Sequence, residues 1–294
     1  MQKLLIVGCG DVAQRALPLL LPRYRIYALV RRPEQADVWR QPGVTPILAD
    51  LDRPASLQRL AGLADLVLHL APPPNRGAVD TRTRHLLAAL ARGKSLPQRL
   101  TYISTTGIYG DCRGAWVSET RPGAPATARG QRRLDGEKQL RAWGARTGVT
   151  VTILRAPGIY AAERLPRERL AAGTPALRPE DDVFTNHIHG DDLAGLCALA
   201  LRRGGANRCY NACDDGQLTM GDYFILVARH LGLPPPPRIS RQEAEQRLSP
   251  LLLSFMSESR RLSNRRIKTE LGYRLRYPDV SQGLAGLGHN TPLA

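Results

Sequence analysis

The residues best suited to chemistry stand at the start of the chain, in Gly8-Cys9-Gly10-Asp11-Val12-Ala13. The apolar run 4–7 before them is too short for a helix and rich in β-preferring residues, which predicts a central parallel strand. Gly8 permits a sharp turn out of that strand. Gly10, without a side chain, lets a pyrophosphate approach the backbone at the N-terminus of a helix that runs on through 14–21. Ala13 takes the third small position, where helix and strand pack closely. The pattern predicts a dinucleotide site that includes Gly8, Gly10, Asp11, Val12 and Ala13. A second strand, 25–30, ends at Arg31-Arg32. An acid there would hold the free ribose 2′-hydroxyl of NAD, whereas guanidinium groups suit the 2′-phosphate of NADP. NADP is the expected cofactor, with NAD second.

These groups need a scaffold, and the hydrophobic pattern supplies one. Strands over 45–48, 65–70, 100–104 and 150–155 alternate with helices over 34–40, 54–60, 81–91 and 127–147, which predicts an α/β doubly wound parallel sheet. Ligands of such a sheet lie outside the carboxyl ends of its strands. The residues just past each strand are therefore candidate cofactor contacts: Asp50 and Leu51, then Leu70, Ala71 and Pro72, then Ala156 and Pro157. His69, inside an apolar strand, reads as a core residue. After residue 160 the alternation loosens. Helices over 191–202 and 220–231, a strand over 207–211 and the prolines of 234–237 predict a smaller lobe. The expected division is a dinucleotide-binding domain over 1–160 and a substrate-side lobe over 161–294, partly interleaved with the sheet.

The totals set limits. The 294 residues, 43% of them hydrophobic, suffice for a sizeable core. No run approaches the ~20 apolar residues of a membrane span, and the first strand begins at residue 3, so a cytoplasmic protein without a signal peptide is expected. Five cysteines, odd in number and scattered, predict reduced thiols and no metal site. The net charge of +16 is spread over every segment and only 5% of residues are aromatic, which argues against a specific nucleic-acid partner.

With these motifs in hand the chain resembles the extended short-chain dehydrogenase/reductase family, the NAD-dependent epimerase/dehydratases. The resemblance is carried by Gly8-Cys9-Gly10, Ala49-Asp50-Leu51, His69-Leu70-Ala71, Ile103-Ser104-Thr105 with Tyr109-Gly110, Leu154-Arg155-Ala156-Pro157 with Tyr160, and His187-Ile188-His189-Gly190-Asp191-Asp192. It implies a Rossmann-type sheet with a smaller C-terminal substrate lobe, a small-molecule substrate, and homodimerisation through helices 81–91 and 127–147. Two motifs depart from the family. The turn is not its usual T-G-x-x-G-x-x-G. Its catalytic Tyr-x-x-x-Lys is replaced: Arg129 stands where the tyrosine belongs and Arg133 where the lysine belongs. Arg133 retains a cation for ribose hydroxyls, but a guanidinium is no acid or base near pH 7. Thr105 matches the family's hydroxyl that bonds the substrate. Thr105 and Tyr109 are the expected catalytic pair, with Glu119, Tyr160, His187 and His189 as further candidates for the missing proton donor. The expected function is an NADP-dependent oxidoreductase or epimerase-like enzyme acting on a small polar substrate. A catalytically silent NADP(H)-sensing protein is the alternative.

Overall fold

The structure, a computed structural model, describes residues 1–287. Strand β1 (Gln2–Val7) is wholly buried from Leu4 onward, and helix α1 (Asp11–Leu20) follows it directly. Strand β2 (Tyr24–Val30), helix α2 (Pro33–Arg40), strand β3 (Thr45–Leu48), strand β4 (Leu66–His69) and helix α3 (Thr81–Leu90) continue the alternation. Strand β5 (Arg99–Thr105), the long helix α4 (Ala128–Thr147) and strand β6 (Thr150–Ala156) complete the first part. Two short strands, β7 (Gly158–Tyr160) and β8 (His187–His189), pair with each other outside the main sheet. Helix α5 (Gly190–Arg203) and strand β9 (Arg208–Asn211) then return to it, and helix α6 (Met220–His230) belongs to the smaller lobe.

Seven parallel strands run in the order β9-β6-β5-β4-β1-β2-β3. The order reverses between β1 and β4, and that switch point opens a crevice at the strands' carboxyl ends. The two faces of the sheet bury separate apolar layers. One joins Leu4, Ile6 and Leu68 to α1 and α5 through Leu20, Leu193 and Cys197; the other joins Leu5, Val7 and Val67 to Leu86, Leu90, Leu140 and Trp143 of α3 and α4. This is the Rossmann-type α/β sheet anticipated from the alternation. Helices α3 and α4 pack side by side on the same face of the sheet. The expected division at residue 160 places α5 and β9 in the second lobe, although both contribute to the main sheet's layers.

One element differs in kind. Residues Pro54–Leu60, read from sequence as a helix, form one of the 3-10 type. The Ser56 hydroxyl bonds back to the carbonyls of Arg53 (2.7 Å) and Asp50 (3.1 Å), giving the backbone a local alternative that competes with α-helix in a segment of only seven residues.

Candidate nucleotide cleft and substrate cavity

The crevice is built on one carbonyl. Val7 O accepts from both Leu70 N (2.7 Å) and Ala71 N (2.9 Å), drawing the segment after β4 across the end of β1. Gly8 lies under that crossing with φ +102°, and a Cβ on it would sit 2.3 Å from Ala71 N. Only glycine fits. Gly10 serves a different purpose: it caps α1 without any side-chain hydrogen bond, and a Cβ on it would meet no protein atom within 4 Å. The start of α1 is left without a side-chain cap and with open space beside Gly10, an arrangement that suits an anion.

The cleft encloses about 450 Å³. Of the residues singled out in sequence, Gly8, Gly10, Asp11, Val12, Ala13, Arg31, Asp50, Leu51, Leu70, Ala71, Pro72 and Arg133 line it. Arg32 lies beside it, in a shallow recess shared with Arg31, Asp50 and Arg53. Ala156 and Pro157 fall elsewhere: Ala156 is buried at the end of β6 and paired to Thr105, while Pro157 lines a second cavity. The sequence reading missed Arg53 and Arg164. Arg164 reaches the cleft from the segment after β7 and donates to Asp11 Oδ2 at 2.8 Å. Arg15 also donates to Asp11, to Asp191 (2.5 Å) and to Glu163, so one guanidinium joins α1, α5 and the lobe. Burial works against ionisation of Asp11, but Arg164 and Arg15 together outweigh it and hold its carboxyl below the usual range. The negative charge at the helix start is thus compensated. Gly8, Gly10, the open helix start and the arginines at the β2 end together fit a dinucleotide.

The second cavity, about 350 Å³, lies past the ends of β5 and β6. Thr105 lines it with Arg129, Gly158, Phe184, Met220 and the Glu258–Arg260 pair. Thr105 Oγ1 accepts from Gly107 N at 3.2 Å, which leaves its hydrogen to donate. The Arg129/Arg133 pair spans both cavities. Arg129 lines the second; Arg133, one turn later, lines the cleft and is anchored by bonds to Ile103 O (2.8 Å) and Tyr102 Oη (3.1 Å).

None of the proposed substitute proton donors lines either cavity. Tyr109, expected to act at the substrate, is 1% exposed; its hydroxyl accepts from Arg155 and donates to Asn211 Oδ1, both at 2.7 Å. Burial pushes that phenol upward, as it does the phenol of Tyr160, whose hydroxyl donates to Asp279 O. Glu119 accepts from Asn211 N at 2.9 Å and lies 3.5 Å from Arg266. His187 stacks on Tyr223 with ring centroids 4.1 Å apart, and burial pushes it down to about 3. His189 caps α5 by accepting from Asp191 N at 3.1 Å, and burial lowers it as well. His69 is a core residue: fully buried, 3.0 Å from Thr83 Oγ1, and pushed down to about 3 by burial.

A family model described as NAD(P)H-binding matches residues 8–203. Protein YeeZ of Escherichia coli (strain K12) is 30% identical over 182 residues, 62% of this chain and 59% of that protein, so the match spans about three fifths of that relative's length. The 3-diazoavenalumate denitrifying reductase of Streptomyces sp is 28% identical over 310 residues, covering 96% of this chain and 99% of that one. Among solved structures, a conserved protein of unknown function from Silicibacter pomeroyi superposes with a TM-score of 0.78 at 31% identity, covering 98% of each chain. A provisionally assigned NAD-dependent epimerase/dehydratase from Methylobacillus flagellatus gives 0.72 at 26% identity over 97% of each.

Proposed function

Because the chain belongs to the NAD(P)H-binding family, we propose that it is an NADP(H)-dependent oxidoreductase that moves hydride to or from a small polar substrate without a side-chain proton donor in the tyrosine's place. The observation that carries this reading is the cleft itself, in which the glycine turn at one end is matched by Arg31, with Arg32 and Arg53 beside it, where the adenosine ribose belongs. Arg31 and its neighbours would hold a 2′-phosphate through charge-assisted bonds. Arg133, fixed by Ile103 O, would donate to the nicotinamide ribose, and the Thr105 hydroxyl would donate to the substrate and orient it. The bound cofactor supplies hydride.

A site with this lining suits acceptors that take hydride without needing a proton from the protein. An aryl diazonium is one, since hydride replaces dinitrogen and leaves the arene and N2. The name of the Streptomyces relative, a diazo-acid reductase, supports that direction. The burial of every proposed proton donor also favours a second reading, a silent NADP(H) sensor; NADPH consumption with a diazonium or carbonyl acceptor separates the two.

Calorimetric titration with NADPH, NADP, NADH and NAD tests the proposal. NADP(H) should bind more tightly than NAD(H), and Arg31→Asp should weaken it by roughly 10- to 150-fold, the range of ~1.5–3 kcal/mol for charged hydrogen bonds. Equal affinity for the phosphorylated and unphosphorylated forms, or an indifferent variant, would overturn the cofactor assignment.

A further inference from the structure

We propose that Arg164 is a diphosphate clamp. It holds Asp11 at the start of α1 and, when a dinucleotide binds, shares its guanidinium between that carboxylate and the diphosphate, fastening the segment after β7 to the cleft. The proposal rests on the dinucleotide reading of the cleft and assigns within it a contact from outside the glycine turn.

The need comes first. Asp11 is the first residue of α1, next to Gly10, and it lines the cleft. A carboxylate suits a helix start, but so does a phosphate, and the two repel each other when both are there. A cleft that keeps this acid beside its glycine turn needs a cation able to serve both anions.

The cation comes second. Arg164 lines the same cleft and donates from Nη1 to Asp11 Oδ2 at 2.8 Å. That bond engages one of the five N–H donors that a guanidinium carries in a rigid fork, so the pairing with Asp11 is compatible with a second anion on the same group. Both side chains are partly open, 38% exposed for Arg164 and 29% for Asp11. Arg15 is placed differently. It donates to Asp11 Oδ1, to Asp191 and to Glu163, and it lines the groove between α1 and α5.

Position comes third. Arg164 ends the 3-10 turn Ala162–Arg164. Its neighbour Glu163 accepts from Arg15, while Arg164 itself meets Asp11, so consecutive residues of this turn engage two residues one helical turn apart on α1. The Glu163–Arg15 pair keeps the turn docked whichever anion Arg164 faces. The same stretch of chain reaches both cavities: Pro157 and Gly158 line the second, and Ile159 and Arg164 line the cleft. A diphosphate held by Arg164 would therefore join the glycine turn to the segment that walls the second cavity.

The test is calorimetric titration of the full chain with NADPH and with inorganic pyrophosphate, for the parent, Arg164→Gln, Asp11→Asn and the double variant. Arg164→Gln should weaken NADPH by roughly 10- to 150-fold, the range for hydrogen bonds to charged groups. It should keep the parent's Tm, because an exposed ion pair contributes little to stability. Arg164→Lys should retain part of the affinity. Arg40→Gln, which removes an equal charge from the exposed face of α2, should leave binding within twofold. The double variant separates a clamp from a mere counter-ion of Asp11: the loss caused by Arg164→Gln should persist in the Asp11→Asn background. NADPH affinity within twofold in Arg164→Gln, an equal loss in Arg40→Gln, or a loss that vanishes once Asp11 is neutral would each overturn the proposal. If the parent binds no dinucleotide, the cofactor reading falls and pyrophosphate decides this one. Pyrophosphate binding lost in Arg164→Gln would uphold the clamp, and binding that is absent or indifferent to the change would overturn it.

Discussion

Replacing Glu137 by alanine should cost more stability than any surface change in this chain. Glu137 and Arg155 form a two-pronged ion pair, Nε to Oε1 at 3.1 Å and Nη2 to Oε2 at 2.8 Å, with side chains only 2% and 6% exposed. Removing the carboxylate strands a buried guanidinium whose remaining partners, Tyr109 Oη and Glu119 O, are neutral. Breaking such a pair costs about 3–5 kcal/mol. Taking ~2.1 cal/mol/K of unfolding entropy per residue gives about 0.6 kcal/mol/K for 294 residues, so the melting temperature should fall by roughly 5–8 °C. Scanning calorimetry reads this directly. The double variant Glu137→Met with Arg155→Met, which removes both charges and keeps volume, should recover most of the loss. A drop below about 1 kcal/mol in Glu137→Ala, or a double variant no better than the single, would refute the argument that the pair is desolvated and that its cost lies in leaving one charge unmatched.

Tyr109→Phe should lower stability by about 1–3 kcal/mol, because Asn211 Oδ1 and Arg155 lose a buried partner, while NADPH turnover stays within twofold. A tenfold fall in kcat at unchanged Tm would restore Tyr109 to catalysis. Acid should destabilise the fold through His69 and His187. Both are held at about 3 when folded, against ~6.5 in the unfolded chain, so between those values only the unfolded state takes up the protons. Their contribution is complete above about pH 6.5 and is lost toward pH 3, at up to ~1.4 kcal/mol per pH unit for each. Urea midpoints measured from pH 7 to 5 should fall, and His187→Leu should reduce that slope; an unchanged slope in the variant would refute the assignment.

Local signals in the sequence made much of the lining of the first cleft legible. Strand, glycine and helix follow one another within the first twenty residues, and Arg31 is named by its place at the end of a strand, so both needed only short-range pattern. Arg164 was invisible for the opposite reason. Arg164 meets Asp11 across 153 positions, through a loop whose path only the fold decides. Tyr109 shows the same difficulty from the other side. Its neighbours in sequence suggested a reacting phenol, whereas its environment is set by Arg155 and Asn211, 46 and 102 positions away. The segment Pro54–Leu60 had helical composition, and nothing in its pattern distinguishes the 3-10 helix it forms around the Ser56 hydroxyl's bonds to Asp50 O and Arg53 O.

The return of α5 and β9 to the main sheet has a consequence for how such proteins can diversify. Residues Leu193, Leu196 and Cys197 of α5 and Tyr210 of β9 share one buried layer with Leu4, Leu20 and Leu154, and Ile267 and Leu271 join it from still further along. A recombination event that exchanged the chain after residue 160 would therefore divide this core between two parents. The loops over 161–186 and the stretch 218–260 with helix α6 are the segments that could be traded for new substrate preferences, while residues 190–211 and the segment that carries Ile267 and Leu271 would have to be inherited with the first half.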